Sequence, residues 1–354
     1  MENGALSAEF LIVLGMTKFS IYKLHFTTPV HLGDNKDDYG ISLKTVQSDA
    51  FYAAITSCLA KLGETIPDDG DLGCTISSLF PFYQKDEKSD SVYFLPKPLR
   101  QALPNLENLN DAKKIKNVSW LDIDYFSKVI NGEILFEKKE DIEDIKNKEY
   151  LTSFEIADDF IISKVSPRVT ISRVGDEDAK PFYMDRIYFK DFSGLYFIIE
   201  GKTELFEKGM QLLQYEGIGT DRNVGHGYFE YSRDTIEVPI PKNSEMAISL
   251  SLFIPEDKIQ LKKMLDGEDI AYNFIRRGGW ITTPPYNQLR KNFIYAFLPG
   301  SVFVSLETEK IFVRGKIVNL KPSISESITQ TLGIEPIQHS IWRNGKSIFI
   351  PIKV

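Results

Sequence analysis

Cysteine is scarce: Cys58 and Cys74 are the only two in 354 residues. Neither stands in a Cys-x-x-Cys pair, so zinc-site spacing and a disulfide framework are both unsupported, and a reducing, cytoplasmic setting fits. Positive charge is not in excess either. The chain carries 42 Lys plus Arg against 50 Asp plus Glu, a formal net charge of −8, which excludes nucleic-acid binding by bulk charge and leaves only local attraction. Long apolar runs are also missing. The longest near the start, FLIVLG at Phe10 to Gly15, is too short to span a bilayer and lacks the basic residues that precede the apolar part of a signal peptide. Neither export nor membrane attachment is expected. Met16 opens the first strand-like segment, so residues 1–15 read as an appended or alternative start outside the fold. No short-period repeat is present.

What the chain does have is 42% apolar residues over a length sufficient for two domains with a packed core. Phe19, Ile21, Tyr22 and Leu24 lie in a strand-like segment that ends in the breaker-rich HFTTPVHLGDNKDDYG. Val46, Phe51, Ala54, Ile55, Cys58, Leu59 and Leu62 recur at helical spacing, with Ser48 or Asp49 placed to cap the helix and Gly63 to end it. From Glu64 to about Pro181 the pattern loosens into a mixed, charge-rich region that reads as an insertion. Regularity returns with RIYFKDFSGLYFIIEG, two strands around a turn, and then with a helix whose apolar face is Phe206, Met210 and Leu213. A glycine-rich loop and the alternating YFEYSR follow. With the insertion set aside, the order is βαββαβ. The proline-bounded IEVPIPKNSE separates a second module of strand, helix and several strands. The expected fold class is α+β: two ferredoxin-like (RRM-like) βαββαβ units, the first at 16–236 with its insertion at about 64–181, the second at 245–354.

The most chemically loaded stretch is YEGIGTDRNVGHGYFEY, Tyr215 to Tyr231. It is no dinucleotide fingerprint, because Arg222 stands where glycine is required, and no Gly-Lys-Ser/Thr completes a P-loop. Its glycines permit close approach of backbone amides to a phosphate chain, Arg222 can grip a phosphate, and Asn223 or His226 can add hydrogen bonds, so RNA backbone is a natural ligand. The competing reading is a tight connection that only re-aims the chain. DNKDD breaks the EF-hand pattern at Lys36 and reads as a solvated acidic turn. His226 as a base for 2′-hydroxyl attack would need a positioned partner. No metal or other cofactor is expected.

Two basic stretches stand out. Between Ala271 and Gly300 there is no Asp or Glu, while Arg276, Arg277, Arg290 and Lys291 alternate with aromatics including Phe274, Trp280, Phe293 and Tyr295. That suits RNA phosphates and stacked bases, or else aromatics facing a core beside solvated cations. Lys164, Arg168 and Arg173 form the second stretch, without an acid until Asp176. The acidic Glu140 to Asp144 reads as an exposed helix or loop that faces a partner or confers solubility.

The glycine loop ahead of a final strand resembles that of the RAMP superfamily of CRISPR proteins. The ordered landmarks TPVHLG, TVQSDAFYAAI, SPRVTISR, PFYMDRIYF, SGLYFII, the glycine loop and FIRRGGWI together look like the fourth Csm subunit of type III-A effector complexes, from about Thr17 to the end. The resemblance implies a non-catalytic subunit that holds the 5′ tag of CRISPR RNA and links the polymerase-like large subunit to the adjacent RAMP backbone subunit in antiviral defence. Residue by residue, it implies RNA contacts at Gly217, Gly219, Arg222, Asn223, Gly225, His226 and Gly227, at Ser48, and at Arg168 and Arg173. Gly-His-Gly replaces the Gly-Phe-Gly or Gly-Tyr-Gly of many relatives. The alternative is a metal-independent RAMP endoribonuclease that processes precursor CRISPR RNA with His226 or His31 as base.

Overall fold

The computed structural model describes residues 15–33, 39–101, 109–136, 139–170, 179–307, 310–323 and 333–354. Residues 1–14, the DNKDD turn and Arg173 lie outside the described residues. From the N-terminal side, β1 (Gly15–Phe26) leads to α1 (Ser48–Lys61) and the short strands β2 (Cys74–Ile76), β3 (Phe80–Tyr83) and β4 (Val92–Pro96). Then come α2 (Leu109–Asn117), β5 (Trp120–Asp122), α3 (Ile123–Ile130), α4 (Lys139–Glu143), β6 (Ile145–Lys146) and β7 (Tyr150–Leu151). A ribbon of β8 (Ile161–Thr170) and β9 (Lys180–Phe189) precedes β10 (Gly194–Gly201), α5 (Glu204–Glu216), a tight helical turn at Arg222–Val224 and β11 (Phe229–Ile240). The second half holds β12 (Met246–Ser249), α6 (Lys258–Met264), β13 (Phe274–Arg277), β14 (Ile294–Phe297) and β15 (Val302–Val304), followed by β16 (Phe312–Arg314), β17 (Ile317–Asn319), β18 (Trp342–Asn344) and β19 (Ser347–Ile352).

The largest sheet runs β11-β1-β10-β3-β4-β5-β7-β6, with β2 also paired to β10. Its central strands are apolar on both faces, and this sets the layering. Successive strand residues point to opposite sides, so Phe19 and Ile21 of β1 enter one core with Tyr196 and Ile198 of β10. Tyr22 and Leu24 enter another with Leu195, Phe197 and Ile199. That second core is roofed by α1 and α5, whose Phe51, Ile55, Phe206, Met210 and Leu213 are fully buried. Gly209 lets the two helices approach: a Cβ there would sit 2.7 Å from Ile55 Cγ2.

The opposite face is covered by α3 and by the second half of the chain, whose Ile248, Leu250, Val302, Ile348, Ile350 and Ile352 complete the first core. The strands of that half form a sheet ordered β15-β12-β19-β16. Every residue of β19 is buried, which makes the C-terminal strand the centre of the sandwich. Removing the side chain of Ile350 would cost roughly 2–5 kcal/mol. Backbone bonds also cross the junction: Ser78 N donates to Leu250 O at 2.9 Å, and Ser251 Oγ to Ile76 O at 2.8 Å.

Several sequence expectations change here. The strands of RIYFKDFSGLYFIIEG are not partners: β9 pairs with β8 through ten residues, while β10 pairs with β1, β2 and β3. A strand buried on both faces needs a neighbour on each edge, and β10 finds them in segments distant in sequence. β2 and β3 fall inside the stretch 64–181 that reads as an insertion, yet they pair directly with β10. β11 runs on to Ile240, through Val238 and Pro239, so the proline-bounded break lies partly inside a strand. Ser48 and Asp49 do not cap α1; Gln47 occupies that position, without a side-chain cap bond. Asp141 and Asp144 of the acidic stretch accept from Tyr125 Oη at 3.3 and 2.8 Å, so part of that charge is used internally.

Candidate nucleic-acid interface

Helix α5 ends where Gly217 N donates to Leu213 O at 2.8 Å and the backbone turns to φ +72°. Gly219, Gly225 and Gly227 also have positive φ, as does Asp221 at +65°, a region that only glycine enters without strain and that Asn and Asp tolerate. The loop then zips onto residues 27–31. Thr220 N donates to His31 O at 2.9 Å and Gly227 N to Pro29 O at 2.9 Å, while Ile218 N reaches Gly227 O at 3.0 Å. At Gly219 a Cβ would meet His31 O at 2.3 Å, and at Gly227 it would meet Ile218 O at 2.0 Å. Both glycines therefore serve close approach of chain to chain. Gly225 faces open space within 4 Å and needs glycine for its φ alone.

The ribbon docks on the same place. His31 is buried, and its Nδ1 donates to Asp185 O on β9 at 2.7 Å. Asp185 in turn accepts from Ser42 N at 2.9 Å and Ser163 Oγ at 2.6 Å. One register further along β9, Arg186 is only 8% exposed. Its Nη2 lies 3.3 Å from Asp221 Oδ2, and Arg168 Nη2 of β8 lies 3.0 Å from the same oxygen. Two guanidinium groups thus share one carboxylate of the glycine loop. Arg186 Nε and His226 Nδ1 are buried without a hydrogen-bond partner among the described residues. Burial lowers the pKa of His226, and the positive charge of Arg186 lowers it further, so its ring is neutral at neutral pH. Arg222 and Asn223 project into solvent. With Arg168 and Arg186 on one aspartate and exposed Arg222 next to it in sequence, the local balance is cationic in an acidic chain, which suits a phosphate.

The structure gathers Arg168, Gly217, Gly219, Arg222, Asn223, Gly225, His226 and Gly227 into one region, but not Ser48. Ser48 is 3% exposed, and its Oγ accepts from Leu252 N at 2.9 Å, so it joins the two halves from inside. Asp49 beside it is fully buried against Arg277 and Arg343. Arg186 was missed by sequence reasoning, although it stands in the PFYMDRIYF landmark. His25 is held at a pKa of about 4, by burial first and by Lys23 second. Cys58 and Cys74 are free and buried, with thiols pushed by burial to about 11 and about 12. Among the described residues no His, Cys, Asp or Glu group is arranged to hold a metal ion, and no helix is long and apolar enough to cross a membrane.

Residues 242–352 match the family described as CRISPR Csm4 C-terminal domain. The "CRISPR system Cms protein Csm4" of Streptococcus thermophilus is 24% identical over 312 residues, which cover 85% of this chain and 93% of the relative. That of Thermococcus onnurineus is 25% identical over 253 residues, 66% of this chain and 75% of the relative. The chain is similar to Csm4 over most of its length. The Csm4-like chain also superimposes on a chain of the Csm3-Csm4 subcomplex of the type III-A interference complex with a TM-score of 0.57 at 17% identity, covering 96% of this chain and all 100% of that one. A chain of the Csm1-Csm4 cassette bound to AMPPNP gives 0.54 at 18% identity, with 96% and 99% covered. The α+β architecture is common to them.

Proposed function

We propose that the chain is a non-catalytic subunit of a type III-A CRISPR effector complex that holds the 5′ tag of CRISPR RNA at the glycine loop. In that role it joins a polymerase-like large subunit to an adjacent RAMP backbone subunit. The observation that carries the RNA assignment is the convergence of Arg168 and Arg186 on Asp221 beside exposed Arg222 and Asn223. The protein partners are supported by the solved assemblies of similar chains with Csm1 and with Csm3. Ferredoxin-like organisation of the first half is supported by the strand order β11-β1-β10-β3, antiparallel throughout, which is the spatial order of a βαββαβ unit. The second half, read as a further such unit, has one helix among its described residues.

For an endoribonuclease, His31 is enclosed and committed to Asp185 O, which leaves His226 as the candidate base. A working base is held by a partner; the His226 ring hydrogen-bonds the backbone at Pro29, while its Nδ1 has no partner among the described residues. Co-expression with the other subunits and a CRISPR array, purification through this chain and sequencing of the bound RNA test the proposal. CRISPR RNAs with a uniform repeat-derived 5′ end are expected, with reduced recovery for Arg222→Ala; unchanged recovery would remove the loop from the RNA interface. Cleavage of precursor RNA by the isolated chain, lost in His226→Ala, would favour the nuclease.

A further inference from the structure

The β13–β14 ribbon keeps a row of rings away from every core. Its register pairs Phe274 with Phe297 and Arg276 with Tyr295, so strand alternation sets Phe274, Arg276 and Tyr295 on one face, with Phe293 on the same side as Tyr295. Phe274 is 60% exposed, Phe293 55% and Tyr295 56%. The rings stand edge to face in series, Phe274 to Tyr295 at 5.8 Å and Tyr295 to Phe293 at 6.1 Å. The guanidinium carbon of Arg276 lies 4.0 Å from the Phe293 ring centre. The reverse face is anchored: Ile275, Ile294 and Ala296 pack on Leu252 and Ile254, and Arg277 pairs with buried Asp49. Three exposed rings on a rigid support form an apolar patch of the kind that marks a binding surface.

Charge identifies the occupant. The acid-free segment from Ala271 to Gly300 carries Arg276, Arg277, Arg290 and Lys291 inside a chain of net charge −8. Arg276 is exposed and makes no ion pair with a described residue, and Arg290 stacks on Trp280 at 4.8 Å. Three flat rings with the exposed guanidinium of Arg276 among them complement unpaired bases and the phosphates between them, whereas an apolar protein face would leave that cation unpaired. We propose that this face is a second RNA-binding surface, a stacking platform for unpaired bases, separate from the glycine loop and argued without it.

The test is fluorescence anisotropy of the full chain with a short unstructured RNA and with an abasic strand of the same length. Phe293→Ala and Tyr295→Ala should each weaken binding of the intact strand by about tenfold and leave the abasic strand unaffected. Both rings are exposed, so an unchanged thermal midpoint shows that the fold is retained. Arg276→Ala should weaken both strands and flatten the salt dependence. Wild-type affinity in the ring variants, or equal weakening of both strands, would overturn the proposal. So would a ring variant that keeps its RNA but loses a co-purifying protein subunit, which would make the face a protein dock. Arg222→Ala, measured alongside, separates the two assignments: if it has no effect while the ring variants do, the loop reading falls and the platform stands.

Discussion

Asp49 is fully buried on α1, and its Oδ2 lies 3.1 Å from Arg277 Nε on β13 and 2.8 Å from Arg343 Nη1 on β18. Two elements that lie 228 and 294 residues away along the chain thus meet α1 at one carboxylate. The pair also fixes the tilt of the β13–β14 ribbon, because Arg277 holds its inner face.

Asp49→Ala strands two largely buried guanidinium groups, and breaking a buried pair in this way costs about 3–5 kcal/mol. Urea unfolding should show that loss with an unchanged denaturant slope. A loss below about 1 kcal/mol would mean that water reaches the arginines and that the junction rests on apolar packing alone.

The loop glycines should separate into two classes. Gly225→Ala meets no atom within 4 Å and should cost about 1–2 kcal/mol for its φ. Gly227→Ala drives a Cβ to 2.0 Å from Ile218 O, so it should cost distinctly more and displace the whole loop. Equal midpoints for the two variants in thermal unfolding would contradict the chain-on-chain role.

Asp122 caps α3, accepting from Tyr125 N at 2.8 Å, while burial raises its carboxyl from 3.8 to about 6. A carboxyl that is harder to ionise when folded binds more protons in the native state, so stability falls as pH rises through that window and the penalty is complete above it. Asn also caps helices. Asp122→Asn should therefore be more stable than wild type at pH 7, by up to about 3 kcal/mol, and no more stable below the unfolded value of 3.8. A pH-independent difference between the two proteins would refute this account.

Phosphate contacts at the glycine loop should be visible as salt dependence. Arg222→Ala and Arg168→Ala in the assembled complex should each reduce the slope of log affinity against log salt by about 0.7 for a single strand. Arg168 also balances Asp221, so its loss leaves that carboxylate to Arg186 alone and should weaken binding more than Arg222→Ala. Identical slopes for wild type and both variants would place the RNA elsewhere.

Much of the first half was legible in residue order. The helical spacing of Phe51, Ile55 and Leu59 and of Phe206, Met210 and Leu213 puts those side chains in one core, because a stripe with helical period can be buried only as a helix. The alternation of Phe19 and Ile21 against Tyr22 and Leu24 is that of a strand covered on both sides. The apparent hairpin of β9 and β10 was misleading because pairing partners are chosen by distant segments. Alternation separates Phe293 and Tyr295 from Ile294 and Ala296, but it does not say which side is covered: Ala296 is buried and Tyr295 beside it is exposed, a division made by which face meets Leu252 and Ile254.

By itself the sequence determined the α+β character, the glycine loop between α5 and β11, and the acid-free aromatic segment. These are local matters of side-chain period, backbone φ and charge. Only the tertiary structure decided that Asp221 would gather Arg168 and Arg186, that Ser48 and Asp49 would turn inward, and that β19 would complete the core of the first half. Those outcomes depend on which distant surfaces exclude water from one another, and such contacts leave no mark on the spacing of residues along the chain.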